Sequence, residues 1–138
     1  MKDTWLEPCN GIITSAFGQR NNPLGSGGQF HDGIDIAVAE NTQIAAVKDG
    51  IVTGCTNSDS YGIKLDFKTD DGYDVFYAHL NKILVKEGDK IKAGQIVALS
   101  GNTGDTTGPH LHYGIHKDSN PIDPSNFVML SFAENAFN

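Results

Sequence analysis

The chain has 138 residues, 38% of them hydrophobic, and a formal net charge of -7. That length and apolar share suit one globular domain with a modest core and exclude a disordered segment. The acidic balance excludes nucleic acid as a partner, because a phosphate backbone needs clustered Lys and Arg; Lys82, Lys86, Lys90 and Lys92 alternate with Glu87 and Asp89 and read as a solvated hairpin surface.

No apolar run is long enough to span a bilayer, and no signal-peptide pattern opens the chain. Met1 stands directly before a polar stretch, the pattern of a domain cut from a longer parent. The parent protein has room for a signal or an anchor, and for partner domains, outside this chain. Residues 1–10 read as an N-terminal extension or linker, 11–128 as the folded domain and 129–138 as a C-terminal tail.

Sixteen glycines punctuate short alternating runs, the pattern of strands joined by tight turns. In chain order the spacing predicts strands over 11–14, 34–37, 43–46, 50–56, 62–68, 73–79, 95–100 and 111–116. The segment 19–30 is polar and Gly-rich and reads as a loop walling a binding site. Asp70-Asp71-Gly72 predicts a hairpin turn, since Asp-Gly tolerates positive φ. Helical signals are weak: one turn over 81–85 and a short one over 124–128. Residues 131–138 read as a frayed end or the start of a linker. The fold class is therefore all-β, a single antiparallel sheet closing as a barrel or sandwich, with long loops around a cleft.

Cys9 and Cys55 are far apart and lack a C-x-x-C spacing, so they do not read as a zinc site; one disulfide and two free thiols both remain open. The chemistry concentrates in the histidines. His31-Asp32-Gly33-Ile34-Asp35 puts an imidazole and a carboxylate four residues apart around a glycine. In His110-Leu111-His112, strand alternation puts both imidazoles on one face. His79 ends the strand-like run Tyr77-Ala78-His79. Each pattern alone is weak. Together they supply two His and one Asp for a three-ligand zinc site that leaves a fourth position for water. The spacing does not decide which histidine of the H-x-H pair is the ligand. The Gly/Thr-rich run Gly101 to Pro109 leads directly into His110 and fixes a site at a strand mouth.

These blocks, in this order, resemble the M23 (lysostaphin/LytM-like) peptidoglycan metalloendopeptidases. Phe17-Gly18-Gln19-Arg20 is similar to the family's F-G-x-R. His31 to Ile36 is similar to its H-x-G-x-D block, and Tyr77 to Leu80 to its Y-x-H-L block. Gly101 to Tyr113 is similar to its G-x-T-G-x-(S/T)-T-G-P-H-L-H-(F/Y) block. The resemblance spans about residue 11 to 124 and implies a LytM-type fold. It implies that His31, Asp35 and His112 hold one Zn2+ and that His79 and His110 form the catalytic pair. It also implies a peptidoglycan peptide as substrate and action in the bacterial cell envelope or after secretion. Tyr61 is a candidate extra transition-state donor, and Gly114 stands where many relatives carry a larger side chain. His116 shares strand parity with His110 and His112 but has no place in the motif. A second reading is a catalytically silent LytM-like scaffold that regulates other wall enzymes; all five filled positions favour the enzyme. The stretch Val85 to Gln95 resembles a hairpin of biotinyl and lipoyl carrier domains. It lacks their lysine-bearing turn and reads as shared β architecture.

Overall fold

Apolar residues at alternate positions can be buried only if strands pair, and the computed structural model, which describes residues 5–20 and 29–137, pairs them antiparallel. In chain order the strands are β1 (Ile12–Ser15), β2 (Gly18–Arg20), β3 (Gln29–His31), β4 (Ile34–Ala37), β5 (Gln43–Ala45) and β6 (Gly50–Ser58). They continue with β7 (Gly62–Thr69), β8 (Asp74–Ile83), β9 (Lys90–Ile91), β10 (Ile96–Ser100), β11 (Leu111–Lys117) and β12 (Asn120–Ile122). A 3-10 turn, Pro124–Phe127, follows, capped by the Asp123 side chain. The main sheet runs β1-β4-β11-β8-β7-β6-β9, with β10 and β5 joined through β8 and β12 joined to β11. Strands β2 and β3 form a separate hairpin. The all-β architecture expected from the sequence is what forms.

Strand β8 is the hub. Its first residues lie between β11 and β7, and Leu80–Ile83 pair with β10. Covered on both faces, β8 is buried at every position from Val75 to Leu80. The core gathers Ile13, Ile34, Ile36, Leu65, Phe67, Tyr77, Leu111, Tyr113 and Ile115. The Tyr77 hydroxyl is satisfied inside it, donating to the Ala45 carbonyl and accepting from the Val47 N–H.

Three local expectations change. Residues 81–85 are not a helical turn: β8 continues to Ile83, and the Leu84 N–H donates to the Val97 carbonyl. The ladder offered by β10 outweighs a weak local helical preference. Residues 131–137 are not frayed: Ile13 donates to Ser131, Ala133 to Ile13 and Ala16 to Ala136. They cover the edge that β1 would otherwise present. Most of the predicted loop 19–30 lies outside the described residues, and its two ends are strands β2 and β3. Near the start of the chain, Trp5 packs against Tyr73 and Phe127 at ring distances of 5.3 and 4.6 Å. Cys9 and Cys55 are free thiols, Cys9 buried and Cys55 exposed.

Candidate metal centre

Strand pairing brings the sequence-distant histidines to one place. Asp35 on β4 faces His112 on β11, and His112 also faces Ala78 on β8, the residue before His79. His31 ends β3 just before the turn into β4, and His110 precedes β11 in a bridge to Gly101. Gly33 makes this approach feasible. A Cβ there would press into the Tyr113 carbonyl oxygen and lie 3.0 Å from the His112 ring.

One donor atom from each of His31, Asp35 and His112 lies within 4.8 Å of the other two. The His31 Nδ1–H donates to the Ala16 carbonyl at 3.0 Å, which turns Nε2 toward Asp35, 3.3 Å from Oδ1. His110 Nε2 lies 3.5 Å from the same oxygen. Neither approach has hydrogen-bond geometry, so Asp35 Oδ1 is buried without a hydrogen-bond partner. Burial pushes the Asp35 carboxyl up, but the surrounding imidazoles, His31 first, outweigh it and hold the group below its ordinary range. An anionic oxygen among convergent imidazole nitrogens is a donor set that suits a borderline cation.

The other two histidines are tethered alike. The His79 Nδ1–H donates to the Thr103 carbonyl at 2.7 Å, and the His110 Nδ1–H donates to the Gly108 carbonyl at 2.8 Å. Both tethers select the tautomer whose Nε2 carries a lone pair. The two rings are 4.9 Å apart. His79 sits at φ 59, a left-handed conformation rare for a residue with a side chain. That twist interrupts strand alternation and turns its ring into the cleft. Burial lowers the His79 pKa, and the neighbouring His110 and His112 lower it further against the Thr103 carbonyl, so the ring is neutral near pH 7.

The cleft these residues share has a volume of about 430 Å³ and is also lined by Ser60, Tyr61, Asp105, Thr106 and Thr107. Two of its lining segments are tied together, since the Asp105 N–H donates to the Ser60 carbonyl, and nearby Thr103 Oγ1 bridges the Leu80 carbonyl and the Ile63 N–H. His116 stays outside it, further along β11 beside the Phe76 ring. At Gly114 the space a Cβ would need is filled by Phe76, which meets His112 edge-on at 5.2 Å. The Tyr61 hydroxyl donates to Asp32 Oδ2 at 2.7 Å, so its proton is committed there and not to the cleft. Asp32 is the residue the sequence reading passed over. The only signal for it was a carboxylate inside the H-D-G-I-D block, whose contacts depend on the β4–β11 register.

The profile of the family described as Peptidase family M23 matches residues 29–124. The chain belongs to peptidase family M23. It is 40% identical over 93 residues to the peptidoglycan DD-endopeptidase ShyA of Vibrio cholerae, a match covering 67% of this chain and 22% of that protein. It is 40% identical over 100 residues to the glycyl-glycine endopeptidase ALE-1 of Staphylococcus capitis, covering 70% of this chain and 27% of that protein. Among solved structures, a zinc containing peptidase from Vibrio cholerae superposes with a TM-score of 0.77 at 32% identity, covering 86% of this chain and 39% of that one. The M23 chain thus spans about a third or less of the length of the curated relatives it matches.

Proposed function

We propose that this M23 domain is a zinc-dependent endopeptidase that hydrolyses peptide bonds in peptidoglycan, in stem peptides or cross-bridges. The observation that carries the reading is the convergence, in one cleft, of a His/Asp/His donor set and two further tethered imidazoles. His31, Asp35 and His112 hold the metal; the buried Asp35 oxygen, which lacks a hydrogen bond, and the two imidazoles fit zinc better than a hard, oxygen-preferring cation. When bound, zinc supplies a Lewis acid that polarises a carbonyl and lowers the pKa of water to about 7.

The chain's own groups do the rest. His110 Nε2, 3.5 Å from Asp35, is the base that takes a proton from water and passes it to the leaving amine. His79, held neutral beside it, hydrogen-bonds the oxygen on which negative charge develops or shares the proton. The Thr103 and Gly108 carbonyls fix both rings before substrate arrives. Relatives named as DD-endopeptidase and as glycyl-glycine endopeptidase support a peptide bond within a chain as the target. A peptidoglycan substrate places the domain in the bacterial cell envelope or outside the cell.

Mass spectrometry of muropeptides after digestion tests the reaction and names the bond. Cleavage that stops with a chelator and returns with zinc is expected. Stoichiometric zinc with no cleavage of either bond type would favour the silent scaffold.

A further inference from the structure

The H-D-G-I-D block carries two carboxylates, and the metal cluster takes only Asp35. Asp32 turns the other way. Its Oδ1 lies 3.0 Å from His112 Nε2, a charge contact outside hydrogen-bond geometry, and its Oδ2 accepts from the Tyr61 hydroxyl at 2.7 Å. The same edge of the His112 ring is closed by Gly33, where an added Cβ would lie 3.0 Å from both Nε2 and Cδ2. With Nε2 enclosed on the Asp32 side, Nδ1 is the nitrogen left to face His31 and Asp35.

The geometry points to Asp32 and Tyr61 as a positioning pair that fixes His112 as its Nε2–H tautomer and so presents Nδ1 to the metal. The inference rests on the zinc reading above and adds to it which groups aim the third ligand. A neutral imidazole has one proton, and a carboxylate beside one nitrogen draws it there, leaving the lone pair on the other. A carboxylate behind a metal-bound imidazole also strengthens the nitrogen as a donor. Tyr61 holds the second oxygen, so the carboxylate cannot rotate away without breaking that bond. The Phe76 edge at 5.2 Å and the stacked His79 ring at 5.7 Å confine the His112 plane. Asp32 and Tyr61 touch no reacting atom in this scheme and act only through His112.

Two measurements on the full chain test the pair. The first is the imidazole nitrogen–proton correlation spectrum of the metal-free protein. His112 is expected with its proton on Nε2; a proton on Nδ1 in the wild type overturns the inference without any variant. The second is zinc affinity by chelator competition for the wild type, Asp32→Asn and Tyr61→Phe. Asp32→Asn is expected to weaken zinc about 10- to 100-fold, the range for groups behind a metal ligand. Tyr61→Phe is expected to weaken it less, with the tautomer kept. Wild-type affinity in both variants, with an unchanged His112 spectrum, overturns the inference. A wild-type chain that takes no zinc overturns the zinc reading on which it rests, a different outcome that the affinity series separates.

Discussion

Replacing Gly33 with alanine should damage this domain far more than one methyl group normally does. The new Cβ would meet the Tyr113 carbonyl oxygen well inside the about 3.3 Å at which carbon and carbonyl oxygen ordinarily approach. It would also press on two atoms of the His112 ring at 3.0 Å. A flexible side chain could swing aside, but a carbonyl on β11 can move only with its strand. That strand is held by β4 on one side and β8 on the other. Overpacking of this kind costs about 1–3 kcal/mol, and an immovable backbone partner puts Gly33→Ala toward the upper end. At about 3 °C per kcal/mol for a chain this size, the midpoint should fall by roughly 5–10 °C. The assay is urea and thermal unfolding of metal-free protein, so that metal affinity does not enter. Gly54→Ala is the control: its Cβ would meet only the Asp66 side chain, at 3.8 Å. On a strand that exchange should be neutral or stabilising by up to about 1 kcal/mol. Equal stability of Gly33→Ala and wild type, or equal loss at both glycines, would refute the steric account of the H-x-G spacing.

Burial pushes the Cys9 thiol from 9.0 up to about 12. Above pH 9 the unfolded chain releases a proton the folded one keeps, so this thiol contributes a fall in stability of about 1.4 kcal/mol per pH unit from about 9 to 12, and the buried Tyr77 and Tyr113 hydroxyls, also pushed up, add falls of the same sign above pH 10. Cys9→Ala should remove the fall between pH 9 and 10, before the tyrosines titrate, and native protein should alkylate at Cys55 alone, as intact mass reports. Thr103→Val strips the hydroxyl from the Leu80 carbonyl and the Ile63 N–H and loosens the carbonyl that tethers His79. It should cost about 1–3 kcal/mol and lower kcat about tenfold or more, measured by unfolding and turnover. His79→Ala and His110→Ala should each lower kcat about 10²- to 10⁴-fold with different pH–rate profiles; near-wild-type rates in both would contradict the proton-transfer roles.

The strands were legible because apolar alternation reports burial on one face, as in Ile34–Ala37, whose predicted and observed bounds coincide. The hairpin β2–β3 was not, because its residues are polar and Gly-rich and its pairing is its only strand signal. Local preference misled at 81–85, where β10 supplies partners that no window of sequence contains. The three-donor set could be suspected from H-x-x-x-D and H-x-H, since alternation in H-x-H puts both imidazoles on one face and a glycine inside H-x-x-x-D lets the chain turn His31 toward Asp35. His79 could not be found this way: it joins the cleft through the pairing of Ala78 with His112 and its own positive φ. The family resemblance, and not the local pattern, singled it out. Asp32 and Tyr61 depend wholly on which strands become neighbours, and no spacing announces them.

In the proposed site His31, Asp35 and His112 hold the metal while His110 and His79 stay free to move protons. Anomalous diffraction at the zinc edge from crystals of the zinc-loaded protein shows which side chains hold the metal. One peak is expected, bonded to an imidazole nitrogen of His31, an Asp35 oxygen and an imidazole nitrogen of His112, at about 2.0–2.2 Å. A peak bonded to His110 in place of His112, or lying away from Asp35, would contradict it.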